Sequence, residues 1–180
     1  MKNNWKTVDV LRYARHDWLN KIQLIKGNLA LDRIDRVNEI VEEIIIGAQN
    51  ESKLTNLQIP STAEWVLTYN WTSSPLFLEF EVSADEANIS ACDATLVQWL
   101  REFTTELQKL VDKGYEQHLM LTFQLMGGDP RMAIDFTGGL IDAGPLREWC
   151  HEHTETPCFD FREASFTSEE VTGILEFRQD

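Results

Sequence analysis

Arg15-His16-Asp17-Trp18-Leu19-Asn20-Lys21-Ile22-Gln23-Leu24-Ile25-Lys26-Gly27-Asn28-Leu29-Ala30-Leu31 reads as a helix with one apolar side. With the residues before it, apolar side chains recur at Val8, Leu11, Trp18, Ile22, Ile25 and Leu29, the three-four spacing of an amphipathic helix of coiled-coil type. Arg15 interrupts the seam. At about 100° per residue, His16 falls roughly 140° from the seam's centre, so a helix that buries its leucines leaves the imidazole facing water. The predicted helix spans residues 5–30, with Gly27 a tolerated weak point near its end.

A polar turn around Asp32 follows, and the same spacing then repeats at Ile34, Val37, Val41, Ile44 and Ala48. Leu54 and Leu57 extend it to Pro60, which closes the element. Residues 1–60 therefore form a helical hairpin. Two helices of about 25 residues cannot cover their apolar stripes on both flanks, so two hairpins are expected to pair into a four-helix bundle. The reading predicts an obligate homodimer with Leu11, Trp18, Ile22, Ile25, Ile40, Val41 and Ile44 in the shared core.

Arg12, Arg15, Lys21 and Lys26 lie within about three turns of His16, and Asn20 sits one turn along at i+4. A neutral imidazole flanked by cations can attack phosphorus, since the cations steady phosphoryl oxygens while the ring supplies a lone pair. Asp17 adds a carboxylate beside it. These residues alone fit a solvated surface histidine equally well, and a lone histidine on a basic helix is more often that.

Residues 61–180 change character. Ser61 or Thr62 caps a short helix carrying Trp65, Val66, Tyr69 and Trp71. Residues 76–82 alternate as a half-buried strand, and 93–112 form an amphipathic helix ending before Gly114. Residues 118–126 and 131–136 are two strands joined at Gly127-Gly128-Asp129-Pro130, with His118 an edge residue at the opening of the first. A short helix over 145–153 precedes a final antiparallel pair, 158–167 and 171–178. The fold class is α+β: the hairpin, followed by an α/β sandwich of helices on a mixed sheet.

The run RHDWLNKIQLIKGNLAL, followed by DRIDRVNEIVEEIIIGAQNESKLTNL, resembles the phosphorylated helical hairpin of the sporulation initiation phosphotransferase B family, phosphorelay histidine phosphotransferases of endospore-forming bacteria. YNW at 69–71, LFLEFEV at 76–82 and DFTGGLID at 135–142 follow in the expected order. The resemblance implies that His16 accepts a phosphoryl group from the aspartyl phosphate of one response regulator and passes it to the aspartate of a second. Arg12, Arg15, Asp17, Asn20, Lys21 and Gln23 become supporting or receiver-binding residues. Arg15 and Lys21 are candidates to contact phosphate or receiver, Asp17 to orient or deprotonate the ring and Asn20 to pack against the docked loop. The expected partners are two receiver domains and a second copy of the chain. No cofactor of its own is implied, and Mg2+ is expected to arrive with the receiver.

The second region resembles a degenerate histidine-kinase ATP-binding domain. Such kinases use a helix asparagine for magnesium, an Asp-x-Gly-x-Gly turn for adenine and a glycine-rich lid. Here the helix reads ELQKLVDKG, the turn Asp135-Phe136-Thr137-Gly138-Gly139, and no glycine-rich lid follows. Backbone amides to cradle phosphates and a magnesium ligand are therefore not evident. Two rival readings are an ATP-dependent autokinase, and a non-catalytic dimeric docking protein that blocks a receiver or kinase.

Charge is unevenly spread. Residues 1–31 carry six Lys/Arg and two Asp/Glu, a net of +4, leaving −18 elsewhere against −14 for the chain. Bulk acidity argues against nucleic acid or anionic membrane as partner, whereas a local basic island suits an acidic pocket on another protein. Some of these cations can equally pair with Glu39, Glu42, Glu43 and Glu51 of the second helix. Without a signal-peptide core or an apolar span the chain is expected to be cytoplasmic, with Cys92, Cys150 and Cys158 as reduced thiols. Cys150-His151-Glu152-His153 with Cys158 matches no common zinc spacing, so no metal site is expected there.

Overall fold

The computed structural model describes residues 6–84, 88–126 and 128–178. The predicted helix start at residue 5, and Gly127 of the predicted turn, lie outside the described residues. Internal contacts divide the chain into two compact units, one ending at Gln49 and the other beginning at Asn50.

The first unit is built from α1 (Thr7–Ala30) and most of α2 (Ile34–Asn56). Asp32 takes a left-handed φ of 55°, and the Arg33 amide donates to the Asn28 carbonyl at 2.9 Å. This is the Schellman stop, which an aspartate tolerates better than most residues. The side chains drawn away from solvent fall on one side of each helix. They are chiefly Val10, Ala14, Lys21, Ile25 and Asn28 on α1, Asp9 and Tyr13 lying further round that helix, and Val37, Ile40 and Ile44 on α2, beside Gly47.

The predicted seam therefore divides. Ile25, Ile40 and Ile44 face inward, while Leu11, Trp18, Ile22, Leu29, Val41 and Ile45 remain exposed. On each helix the exposed set lies next to the inward set, offset by roughly 60–90° on the wheel. Because the helices run antiparallel, both offsets bring the exposed apolar residues to the same side of the hairpin.

The second unit takes the last turns of α2, because Leu54 is fully buried and Leu57 nearly so among its core residues. Pro60 does not simply end that helix; it opens α3 (Pro60–Thr68), which runs into a 3-10 turn at Tyr69–Trp71. Ser61 and Thr62 are not the caps. Ile59 holds the cap position without a side-chain bond, and the free amides of Ser61 and Thr62 donate to the Asp93 carboxylate at 2.9 and 2.8 Å. Asp93 is the first residue of α4 (Asp93–Leu110), so one helix caps another.

The strands β1 (Phe77–Ala84), β2 (His118–Leu125), β3 (Arg131–Thr137), β4 (Phe159–Phe166) and β5 (Glu170–Phe177) form one sheet. Their order is β1-β2-β3-β5-β4. β1 and β2 are parallel and joined through α4; the remaining pairs are antiparallel. His118 opens β2, an interior strand, which corrects its reading as an edge residue. Its ring meets Phe77 edge-on at 5.8 Å. Alternation places Leu119, Leu121, Phe123, Met132, Ile134, Phe136, Val171 and Leu175 on the buried face. Trp99, Leu100, Phe103 and Leu107 of α4 share that core with Leu146 and Cys150 of α5 (Gly144–Glu152). The sandwich is thus a single helical layer on a mixed sheet.

Candidate functional site

His16 sits at mid-length of α1, where intrahelical hydrogen bonds are complete on both sides and the backbone is rigid. Its side chain is 71 % exposed. The seam explains this placement: Leu11, Trp18, Ile22 and Leu29 hold one side of the helix, and His16 lies across the axis from them.

Nδ1 of His16 lies 3.2 Å from the Asn20 side-chain amide and 3.6 Å from Asp17 Oδ1. Among the described residues no partner takes Nε2, which leaves that nitrogen open to an incoming electrophile. Attack from Nε2 needs its lone pair, so the proton must reside on Nδ1. The Asn20 amide oxygen can accept that proton's hydrogen bond once the amide turns over, while Asp17 Oδ1, at 3.6 Å, stands near the same nitrogen beyond hydrogen-bond length. The Asn20 contact fixes the ring.

The other predicted residues separate by wheel position. Arg12, Asn20 and Gln23 fall within roughly 40° of His16 and lie one to two turns from it, all exposed. Arg12 pairs with Asp9 at 3.3 Å. Arg15 and Asp17 flank the histidine at roughly 100° on either side. Lys21 is turned away, roughly 140° around the helix, and its ammonium rests 5.5 Å from the Trp18 ring centroid. Sequence spacing placed Lys21 in the basic island without revealing that the neighbouring indole engages it.

Leu19 is the residue that reading overlooked. It lies off the seam and on the His16 side, with 50 % of its surface exposed, which adds an apolar contact to an otherwise polar face. The signal was available: a leucine outside the three-four pattern.

At the end of β3, Gly138 and Gly139 are filled by the protein's own side chains. A Cβ on Gly138 would strike the Gln117 amide, and one on Gly139 the Tyr115 ring. Gln117 is buried and donates to the Asp112 carbonyl at 2.5 Å. The glycine pair thus admits a close approach of chain segments.

Cys92, Cys150 and Cys158 are thiols outside any disulfide, and burial pushes Cys150 up to about 12. His153 stacks on Trp149 at 4.3 Å and its Nδ1 lies 2.8 Å from the Trp149 carbonyl. Among the described residues no three His, Cys, Asp or Glu side chains gather as metal ligands. No described helix is long and apolar enough to cross a membrane.

Comparison with known proteins decides the family. The description "Sporulation initiation phospho-transferase B, C-terminal" matches residues 58–178, and "Sensor_kinase_SpoOB-type, alpha-helical domain" matches residues 1–57. The chain belongs to the sporulation initiation phosphotransferase B family. A curated relative, sporulation initiation phosphotransferase B of Bacillus subtilis (strain 168), is 39 % identical over 137 residues, 75 % of this chain and 71 % of that protein. Membership makes this chain a phosphotransferase with a part in the sporulation phosphorelay. Among solved structures, the Acinetobacter baumannii histidine kinase AdeS aligns with a TM-score of 0.45 at 11 % identity, over 92 % of this chain and 98 % of that one. The blue-light activated histidine kinase EL346 of Erythrobacter litoralis aligns at 0.42 and 11 %, over 98 % and 61 %.

Proposed function

We propose that His16 is the phosphoryl carrier between two response regulators. The lone pair of Nε2 attacks the phosphorus of a receiver's aspartyl phosphate in line. The P–N bond forms as the P–O bond breaks, and the aspartate leaves as a carboxylate. The Nδ1 proton stays on the ring, held toward Asn20. A second receiver's aspartate then attacks the same phosphorus and restores the neutral imidazole. Both phosphorylated groups are high-energy species, so the exchange runs without nucleotide.

The observation that carries this reading is an exposed imidazole, fixed through Nδ1 and open at Nε2, on the helix of a phosphotransferase family. Arg12 and Arg15 supply positive charge for phosphoryl oxygens or an acidic receiver surface, and Leu19 and Gln23 give that surface further contacts. Magnesium is expected to come with the receiver's acidic pocket, where it offsets phosphoryl charge. The closely packed glycines at 138 and 139 support a purely structural use of the kinase-like turn.

The working unit is a homodimer. Leu11, Trp18, Ile22, Leu29, Val41 and Ile45 make an apolar strip on one side of the hairpin, opposite His16. Two such strips facing one another complete a four-helix bundle and leave both histidines outside it. Incubation with a receiver carrying labelled aspartyl phosphate tests the proposal, with transfer of label to His16 as the expected result. Labelling by ATP alone would favour an autokinase, and binding without labelling a docking protein.

A further inference from the structure

Between α5 and β4 lies a cavity of about 490 Å3, a size typical of small-molecule sites. Phe161, Phe166 and Cys150 supply apolar wall, and Arg147 and His151 of α5 bring basic groups, with Glu163 the one carboxylate of the lining.

Arg147 is the one arginine on the α5 side of the cavity. Arg162 alternates with the buried Phe161 along β4, and its guanidinium lies on the other face, where it shares the Asp160 carboxylate with Arg178, at 3.1 and 2.6 Å. Arg147 donates from Nη2 to the Phe166 carbonyl at 3.2 Å and lies 5.7 Å from the Phe166 ring. Among the described residues no carboxylate pairs with it. Its fork of donors therefore keeps capacity for a planar or tetrahedral anion.

Two backbone features shape the space. On β5, Gly173 lies diagonally across from Phe161, and a Cβ there would strike Cε2 and Cζ of the Phe161 ring. The missing side chain lets that ring lean over β5, where a larger residue would push it away. On β4 the pairing slips between Arg162 and Ser165, with Glu163 at a left-handed φ of 51°. Such a bulge breaks the strand's alternation and re-aims its side chains.

We propose that this cavity binds a small organic anion, its phosphate or carboxylate head paired with Arg147 and its apolar body against Phe161 and Phe166. The site lies in the second unit and does not depend on the His16 chemistry. Titration of the 15N-labelled full chain with phenyl phosphate, benzoate and phenol, followed by amide chemical shifts, tests it. Saturable shifts confined to residues near 147–166 are expected for an anionic probe, and phenol should bind at least about tenfold more weakly for want of a charge-assisted hydrogen bond. Preference for phenyl phosphate over benzoate assigns a phosphate head, and the reverse a carboxylate. Arg147→Gln, at an exposed position, should weaken the preferred anion by roughly tenfold while preserving the spectrum elsewhere. Gly173→Ala should weaken it by displacing Phe161. Phenol binding as well as the anions, undiminished binding to Arg147→Gln, or no saturable shift for any probe would overturn the proposal.

Discussion

Asn20 and Asp17 approach the same nitrogen of His16, and the proposed attack from Nε2 rests on that shared approach to Nδ1. Because His16 is exposed, its removal costs little packing: His16→Gln should abolish transfer yet shift stability by no more than about 0.5 kcal/mol, checked by label retention and thermal melting. Asn20→Ala removes one ring contact, net worth about 0.5–1.5 kcal/mol, so transfer should slow roughly three- to tenfold without loss of folding. Stopped-flow measurement of the phosphoryl step would show it.

Asp93 offers a different residue-scale test. Burial would raise its carboxyl, but the Ser61 and Thr62 amides and the Thr62 hydroxyl hold it below its ordinary value. A depressed folded value means that this stabilisation is complete above the unfolded pKa, near 3.8, and disappears as pH falls through the folded one. Asp93→Ala should lower stability by about 1–2 kcal/mol at neutral pH, with the gap from the parent closing below about pH 4. Denaturant titrations at pH 7 and pH 3 give both numbers.

At the scale of elements, alternation in β2, β3 and β5 and the three-four spacing of α4 were legible because burial on one face imposes those periods directly. The hairpin was legible for the same reason. What periodicity could not show was how its apolar residues are divided: one broad face on a helical wheel serves both the facing helix and the outer strip. The cap on α3 was equally hidden, since Asp93 lies over thirty residues beyond the amides it receives. Of the candidate site, the spacing located His16, Asn20 and Gln23 on one side, but the engagement of Lys21 by Trp18 depends on rotamers that spacing does not determine. Arg12→Ala and Arg15→Ala should therefore slow receiver association and flatten its salt dependence, whereas Lys21→Ala should do so less. Association rates across ionic strength discriminate among the three.

For the whole molecule, the proposed homodimer rests on the exposed strip. Trp18→Glu combined with Ile45→Glu places charges where each apolar side chain is worth about 1.5–3 kcal/mol on burial, enough to dissociate a bundle at micromolar concentration. Sedimentation should then report a monomer, while a persistent dimer would remove the bundle from the account. The most direct test of the central claim remains the transfer itself. A receiver labelled on its aspartyl phosphate, mixed with this protein and no ATP, should pass its label to a base-stable, acid-labile phosphohistidine that His16→Gln lacks and that a second receiver drains. Label that persists on His16→Gln, or that never leaves the first receiver, would contradict it.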